Sequence, residues 1–400
     1  MDPRQNPYAP GAGTPPPELA GREDIIEKAS IALDRIRAGR SARSLLIVGL
    51  RGVGKTVLLN RLNQDAEVKG ITTLILEAPE RKSLPALLAP ALRTAILKLD
   101  RLAAGGELAK KALRGLGSFI QAMKVKYADV EVGLDLGIEP GLADTGDLDA
   151  DLTALLRAVG EAAKDRDTAV VLFIDELQYV EENELAALIT ALHRCSQLQL
   201  PITLIGAGLP QLAGQMGNAK SYAERLFEFV PLDALSEEQA RAALLEPAEK
   251  ENASYEPAAL ESIFRKTRGY PYFLQEWGKH AWDCADSSPI RAEDVDNCAT
   301  DRAIAELDRS FFRVRMDRLT PAERKYVRAM AELGAGPHRS GGISKVLGKS
   351  VNAVAPIRSS LIRKGMIYSP SHGDTAFTAP LFDEFLKRQM PNFDPLEGGA

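Results

Sequence analysis

A segment near the start of the chain has the residue types and spacing of a phosphate-binding loop. It reads GLRGVGKT, from Gly49 to Thr56, and follows the apolar run Leu45–Val48. A glycine-rich turn of this length aims backbone N–H groups at successive phosphate oxygens, and the helix that begins near Gly54 adds its positive N-terminal end. Lys55 then reaches the β- and γ-phosphates, and the Thr56 hydroxyl binds Mg²⁺. The residues predicted to bind the nucleotide are Gly49, Leu50, Arg51, Gly52, Val53, Gly54, Lys55, Thr56 and Val57.

An acidic pair after a second apolar run has the position needed to complete this site. The segment VLFIDELQYV ends a run of apolar residues at Asp175 and Glu176. At the carboxyl edge of a buried strand beside the loop, Asp175 is predicted to hold Mg²⁺ through water. Glu176 is predicted to polarise the attacking water as a general base. The two adjacent acids favour hydrolysis over phosphorylation of a small molecule.

Five strand-like apolar runs, separated by helical patterns, predict the scaffold that positions both motifs. Strands that alternate with helices are typical of an α/β domain with a mostly parallel sheet. We therefore expect a P-loop domain of this class at residues 17–235. The runs are Leu45–Val48, Ile71–Glu77, Ala169–Asp175, Ile202–Gly208 and Arg225–Leu232.

A long insertion, at about residues 84–147, separates the second run from the third. It contains two helical patterns, Leu84–Leu99 and Glu107–Met123. Apolar residues then alternate from Val130 to Ile138, which predicts a β-hairpin or an extended flap. A surface insertion without a function explains the same pattern equally well. A further helix is expected from about Leu148 to Lys164.

Charge is distributed unevenly along a chain of ordinary globular composition. The net charge is −5, with 45% hydrophobic and 26% charged residues. Residues 309–390 contain 15 Lys and Arg against 6 Asp and Glu, a balance of +9, so the remainder carries −14. A basic C-terminal segment indicates contact with a polyanion, although a solvated basic face explains the charge equally well.

We expect neither a membrane segment nor a structural zinc site. Apolar runs fall short of the roughly 18 residues of a bilayer span. Residues 1–16, rich in Pro and Gly, and the tail at 391–400 are expected to be flexible. The cysteines Cys195, Cys284 and Cys298 are odd in number and lack a CxxC pair, which favours a reducing, cytoplasmic location.

From Ser236 onward the patterns are helical. They predict a small helical lid domain at residues 236–308, followed by a connector helix and a further domain at 309–390. From Leu319 the order is helix, helix, helix, hairpin and closing helix, which is typical of a winged helix-turn-helix domain. Thr320 and Pro321 are predicted to begin its first helix.

The third helix of this predicted domain has residues suited to DNA. Pro356 lies inside it and is expected to kink it or delay its start. Winged domains also dock proteins, so a protein partner is the alternative to DNA. Base contacts are predicted for Asn352, Arg358 and Arg363, and phosphate contacts for Lys345, Lys349 and Lys364.

Several motifs together resemble AAA+ and STAND-type ATPases, nearest to prokaryotic ATPases related to origin-recognition initiators. They are the segment ELAGREDIIEKA, the loop Gly49–Thr56, the pair Asp175-Glu176 and the segment TRGYPYFLQ. The resemblance covers nearly the whole chain from about residue 17. It implies ATP and Mg²⁺ as cofactors and a winged domain after the lid.

The resemblance also implies roles for three further residues. Arg22, in the Gly-Arg-Glu box, packs near the adenine in such proteins. Pro271, in the Gly-x-Pro element of the lid, closes over the nucleotide. Arg225 matches the position of an arginine finger, which reaches the γ-phosphate of a neighbouring subunit in an ATP-dependent homo-oligomer.

Two departures from this family indicate slow turnover. The fourth strand offers Gly206, Ala207 and Gly208 where relatives usually carry a polar sensor residue. Arg268 precedes the Gly-Tyr-Pro element instead of lying inside the lid helix. We therefore expect a slow ATPase that acts as a switch on double-stranded DNA, or else a STAND-type signalling or scaffold ATPase whose winged domain binds protein.

Overall fold

The described chain forms two compact units. The computed structural model describes residues 1–11, 13–78, 82–101, 106–123 and 137–393. One unit, called here the sheet unit, comprises residues 22–48 and 55–231. The other, the helical unit, comprises residues 1–21, residues 49–54 and the chain from Leu232 onward.

A five-stranded parallel sheet forms the centre of the sheet unit, with the spatial order β2-β3-β4-β1-β5. Every residue of β3 and β4 is buried, as expected for central strands covered on both faces. The predicted apolar runs are confirmed as strands. Their bounds are β1 (Ser44–Val48), β2 (Thr72–Glu77), β3 (Val170–Asp175), β4 (Ile202–Gly208) and β5 (Phe227–Pro231).

Helices connect these strands. The predicted helix after the glycine-rich loop is confirmed as α2, which begins at Lys55 directly after the loop. A 3₁₀ turn, Leu177–Tyr179, follows β3. The helices of the sheet unit are α1 (Glu23–Arg37), α2 (Lys55–Val68), α3 (Leu84–Arg101), α4 (Glu107–Ala122), α5 (Leu148–Asp165), α6 (Glu182–Gln197), α7 (Leu212–Ala219) and α8 (Ala223–Leu226).

The insertion contains the predicted helices α3 and α4, which pack with α5. Its end is ordered by the buried carboxylate of Asp151, which accepts hydrogen bonds from the Thr145 N–H at 3.0 Å and the Gly146 N–H at 2.8 Å. Most of the alternating segment that predicts a hairpin or flap, Val130–Leu136, lies outside the described residues. Ile138 is exposed and belongs to no strand.

The helical unit contains the three predicted lid helices and the connector. The connector helix contains a π-helical turn at Asp308–Phe312, and a second π-helical turn, Val295–Ala299, lies directly before the connector. None of the described helices is long and apolar enough to cross a membrane. The helices up to the end of the connector are α9 (Glu237–Lys250), α10 (Pro257–Thr267), α11 (Pro271–Cys284), α12 (Ala292–Asp294), α13 (Thr300–Leu307) and α14 (Arg313–Asp317).

The predicted order of elements is present in the C-terminal segment, with one additional strand. A capping box of Thr320 and Glu323 begins α15. The antiparallel strands have the order β6-β8-β7. The expectation that Pro356 delays the third helix is wrong, because α17 runs through it. The elements are α15 (Pro321–Leu333), β6 (His338–Arg339), α16 (Ser340–Val346), α17 (Val351–Arg363), β7 (Ile367–Tyr368), β8 (Asp374–Phe377) and α18 (Phe382–Gln389).

The N-terminal residues, for which flexibility is predicted, make side-chain contacts within the helical unit at residues 1–8. The Tyr8 side chain is 3% exposed, and its hydroxyl donates a hydrogen bond to the Leu244 carbonyl. Asn6 donates to the Asp283 carboxylate at 2.8 Å. The glycine at Gly278 leaves room for the Tyr8 ring, because an added Cβ would lie 2.9 Å from it. Burial of one aromatic ring outweighs the Pro- and Gly-rich composition here.

Two of the three cysteines are joined by a disulfide. Cys284, at the end of α11, forms a disulfide with Cys298, and Cys195 is a buried free thiol. The odd number of cysteines and the lack of a CxxC pair had favoured a reducing, cytoplasmic location, and disulfides are uncommon in such a compartment. That location stays a prediction without this support.

Candidate nucleotide site

The two residues predicted to bind Mg²⁺ are in direct contact in the sheet unit. Thr56 lies in the first turn of α2, and Asp175 is the last residue of β3. The Thr56 hydroxyl donates to Asp175 Oδ2 at 2.6 Å. The Thr56 hydroxyl oxygen and the Asp175 carboxylate oxygen are hard ligand atoms, which Mg²⁺ prefers. The ion usually takes one or two such oxygens from the protein, and water and phosphate oxygens complete its coordination shell. The pair therefore fits the ion that the motif implies.

Burial makes the Asp175 carboxylate responsive to nearby charge. Asp175 and Lys55 are each 6% exposed. Burial raises the pKa of Asp175, while the Thr56 hydrogen bond and the Lys55 charge lower it and the Glu176 charge raises it. The net pKa shift is upward. A divalent cation beside this carboxylate would stabilise its ionised form.

Glu176 is held in an unusual backbone conformation immediately after β3. Its φ is 54°, in the left-handed region that non-glycine residues rarely adopt. Its N–H donates to Asp175 Oδ1 at 2.8 Å. Such a conformation costs on the order of 1–3 kcal/mol and persists where the surroundings enforce it. The chain thus leaves β3 at Asp175 and enters the 3₁₀ turn through Glu176.

The glycine-rich loop, Gly49–Gly54, belongs to the helical unit. Gly52 and Gly54 have φ of 80° and 93°, which favours glycine at both positions. Gly49 cannot be replaced without a shift, because an added Cβ would lie 2.2 Å from the Leu232 carbonyl oxygen. Leu50 is half-buried and Val53 is buried. The sequence signal of a tight loop is therefore matched by its backbone.

The lid contacts this loop through the start of α11. Pro271, the predicted lid residue, is the first residue of α11, and the next N–H, of Tyr272, donates to the Gly52 carbonyl at 3.1 Å. Before it, Gly269 has φ of 73°, and its carbonyl accepts from the Leu235 N–H at 2.8 Å. The residue after the Gly-x-Pro element thus contacts the loop, and closure of Pro271 over the nucleotide stays a prediction.

Arg268 takes a different partner. Its guanidinium forms an ion pair with Glu384 of α18 at 2.7 Å, with both side chains about half exposed. A pair this exposed contributes little free energy. It nevertheless directs Arg268 toward the C-terminal segment.

The remaining nucleotide-site candidates occupy separate positions. Arg22 is buried directly before α1, and Val57 is half-buried in α2. Arg225 is exposed in α8, two residues before β5. The structure describes no partner copy, so the position of Arg225 at a subunit boundary stays a prediction.

Sequence reasoning missed Gln178. It lies three residues after Asp175 in the 3₁₀ turn, and its side-chain amide donates to a carboxylate oxygen of Glu176. Its carbonyl oxygen, Oε1, accepts from the Leu209 N–H at 3.0 Å. The only sequence signal was a polar residue inside the otherwise apolar segment LQYV, where burial demands partners for the amide.

Two of the six predicted DNA contacts are engaged in the fold. Arg358 of α17 donates to the Thr375 hydroxyl, the Ser369 hydroxyl and the Asp374 carbonyl, each at 2.9 Å. Lys364 donates to the Glu323 carboxylate at 2.7 Å and to the Arg318 carbonyl at 2.9 Å. These donors join α17 to its neighbours, so a DNA contact by Arg358 or Lys364 stays a prediction that would require them to leave these partners. The other four, Lys345, Lys349, Asn352 and Arg363, are exposed.

Comparisons with known proteins agree with the fold. A family model described as an AAA ATPase domain matches residues 18–205. A second, described as a domain of unknown function (DUF8462), matches residues 309–386. No curated protein matches the sequence significantly.

Solved structures that resemble the chain include three with 15–17% sequence identity. A Walker-type ATPase of Pyrococcus abyssi has a TM-score of 0.59 at 15% identity, covering 94% of this chain and 97% of that one. Orc1 of Aeropyrum pernix in complex with DNA has 0.47 at 17%, covering 93% and 94%. The RuvB Holliday junction branch migration motor of Thermotoga maritima has 0.45 at 16%, covering 94% and 97%. Residues 18–205 are therefore similar in sequence to an AAA ATPase domain, and the Pyrococcus abyssi structure agrees with the fold.

Proposed function

We propose that the protein binds ATP with Mg²⁺, hydrolyses it slowly and acts as a nucleotide-dependent switch on DNA. The observation that carries this proposal is the 2.6 Å contact between the Thr56 hydroxyl and the Asp175 carboxylate. A hydroxyl and a buried carboxylate in this position are the oxygens through which a P-loop protein holds Mg²⁺.

Each residue of the site has a separate task in this proposal. Lys55 and the backbone of the loop bind the phosphates, and Glu176 takes a proton from the attacking water. Mg²⁺, when bound, neutralises charge that develops on the phosphate oxygens. The fourth strand still ends in glycine and alanine residues, which supports slow turnover.

Substitutions at Lys55 and Glu176 test hydrolysis directly. Lys55→Ala should abolish ATP binding, because it removes the ammonium that faces several phosphate charges. Glu176→Gln should retain binding but trap ATP, because it removes only the base. Calorimetric titration and phosphate release measure the two effects, and Lys98→Ala, an exposed lysine of α3, is the control. A Glu176→Gln variant that turns over ATP at the native rate contradicts the proposed base.

Exposed polar and basic residues support DNA as the target. Lys345, Lys349, Asn352 and Arg363 lie on α16, on α17 or between them. In the winged-helix interpretation, α17 enters the major groove and the two lysines contact phosphates. This interpretation accounts for the basic excess of residues 309–390.

Salt dependence tests this part of the proposal in the full-length protein. Affinity for duplex DNA should fall steeply from about 50 to 200 mM salt, with a log–log slope of roughly 0.9 per phosphate contact. Changing Lys345 and Lys349 to Glu should weaken binding to all sequences alike, whereas Lys98→Glu should not. If the protein binds no DNA at about 50 mM salt with ATP present, the DNA target is contradicted and a protein partner is favoured.

Contacts of the loop favour the STAND-type alternative as a second candidate. In the helical unit, the Arg51 N–H donates to the Thr378 carbonyl at 2.8 Å, and Arg51 Nε donates to the Gly365 carbonyl at 3.5 Å. The C-terminal segment therefore contacts the loop that would surround the phosphates. Such a contact supports a switch in which nucleotide state alters a protein-docking segment.

Hydrogen exchange separates the candidates. A STAND-type switch predicts that amides near Gly365 and Thr378 change protection between ATP and ADP, with little turnover and no effect of DNA. The DNA-dependent ATPase predicts turnover that DNA stimulates.

Assembly is proposed on the position of Arg225. If its exposed side chain reaches the nucleotide of a neighbouring copy, ATP should promote association. Arg225→Ala should then lower turnover without lowering ATP affinity. Strictly monomeric behaviour at micromolar concentration with ATP and DNA would contradict the finger.

A further inference from the structure

We infer that Gln178 is a positioning residue for hydrolysis, which holds the Glu176 carboxylate toward the attacking water. The inference rests on the proposed ATPase activity and assigns to a residue after β3 the polar function that β4 lacks. All the residues involved belong to the sheet unit.

The two ends of the Gln178 amide have chemically different partners. The Leu209 N–H donates to Oε1 at 3.0 Å, and Nε2 donates to Glu176 Oε2. A backbone N–H can only donate, and an ionised carboxylate can only accept. The orientation of the amide is therefore dictated by its partners, and it links the residue after β4 to the predicted base.

The amide is also confined. The Gln178 side chain belongs to a residue that is 6% exposed. The main-chain carbonyl of Gln178 accepts a hydrogen bond from Gln215 Nε2 at 3.3 Å. Because a buried amide that loses its partners costs about 1–3 kcal/mol, this side chain has a strong preference for the observed geometry. A rigid donor of this kind can keep a carboxylate in one orientation.

Glycine at the end of β4 makes room for this arrangement. A Cβ added to Gly208 would lie 2.8 Å from Gln178 Oε1 and 2.8 Å from the Leu212 side chain. Any side chain at position 208 therefore competes with the Gln178 amide for the same space. The sequence indicates that β4 lacks a polar sensor residue. In the structure, the small residue Gly208 at the end of β4 leaves space for the side-chain amide of Gln178, which comes from the turn after β3.

In the reaction, Gln178 transfers no proton. Water attacks the γ-phosphorus, the bond from that phosphorus to the ADP oxygen breaks, and the proton of the water passes to the Glu176 carboxylate. The products are ADP and inorganic phosphate. Gln178 acts only through the orientation of Glu176, so its loss should affect the chemical step and spare ATP binding.

A double-mutant cycle tests this dependence. Gln178→Met conserves side-chain volume and removes both polar ends. We expect kcat to fall about 10- to 100-fold, part of the contribution of a general base, with the Kd for Mg-ATP unchanged. In the Glu176→Gln background the same substitution should cause no further loss, because the base it positions is absent.

A matched glutamine controls for packing of the turn. Gln215→Met removes an amide that donates to the main-chain carbonyl of Gln178 and not to its side chain, and it should keep most of the native kcat. An equal loss in both variants, a loss that persists in the Glu176→Gln background, or native turnover of Gln178→Met would each overturn the inference. Turnover above that of Lys55→Ala belongs to this site. A native protein without such an excess contradicts the proposed ATPase activity itself, separately from the role of Gln178.

A spectroscopic measurement is independent of turnover. The side-chain amide signals of Gln178, assigned by their loss in Gln178→Met, should shift in Glu176→Ala, because the acceptor of the Nε2 hydrogen bond is then absent. The same signals should keep their positions in Lys98→Ala. Amide signals that are unchanged in Glu176→Ala would overturn the contact even if the native protein hydrolyses no ATP.

Discussion

Lys364 provides a sharp test, because the sequence assigns it to DNA and the structure assigns it to the fold. Its ammonium lies 2.7 Å from the Glu323 carboxylate, which is 5% exposed. Glu323 also accepts from the Thr320 N–H and from the Ser360 hydroxyl, both at 2.8 Å. We expect Glu323→Gln and Lys364→Met to destabilise α15 and α17.

The pKa of Glu323 sets the magnitude. Burial alone would raise this pKa, but the hydrogen bonds from Lys364, Thr320 and Ser360 lower it from 4.5 to about 2. A shift of this size corresponds to about 3 kcal/mol. Because the pKa is depressed in the folded state, the stabilisation is complete above pH 4.5 and is lost as pH falls toward about 2.

Hydrogen exchange of the full-length protein at neutral pH measures the local stability of α15 and α17. In Glu323→Gln, amides of α15 and α17 should open about 100-fold more often, the equivalent of about 3 kcal/mol. Lys364→Met should have a similar effect, and the double variant should fall well short of the sum.

Glu332→Gln is the control, because Glu332 pairs with Arg328 on the same helix but is 42% exposed. Its loss should change opening by less than about 1 kcal/mol. Equal effects of the two glutamate variants, or a Lys364→Met variant that loses DNA affinity without loss of protection, would refute the structural assignment of Lys364.

Three further predictions concern the site and the N-terminus. Asp175→Asn should remove most of the Mg²⁺ dependence of ATP affinity, measured by titration with and without the ion; unchanged dependence would exclude Asp175 as a Mg²⁺ residue. Gly208→Ala should lower kcat at constant ATP affinity, because its Cβ displaces the Gln178 amide; native kcat would contradict this. Tyr8→Ala should destabilise the helical unit by about 3–5 kcal/mol in denaturant titrations, as for a buried aromatic ring, whereas no change would restore the flexible N-terminus.

Tertiary contacts changed the interpretation of charged side chains most. Arg358 and Lys364 have the same types as Arg363 and Lys345, and nothing in their spacing separates the two pairs. Arg358 and Lys364 form hydrogen bonds within the fold because β8 and α15 pack beside α17 and supply the acceptors. Charge counted along a chain therefore overestimates the charge that a partner can contact.

The chemistry carried by contiguous residues was predictable before any tertiary contact was known. The loop Gly49–Thr56 and the strand that ends at Asp175 follow from backbone geometry and burial within a few residues, so the parallel α/β sheet and the pairing of Thr56 with Asp175 were predictable. The order of helices and strands after Leu319 followed from local periodicity in the same way. The tertiary structure alone decided the burial of Tyr8, the joining of Cys284 to Cys298 and the contact of Gln178 with the end of β4. These depend on side chains that meet only after folding, because no short-range pattern records which buried amide or ring fills a gap left by a distant glycine.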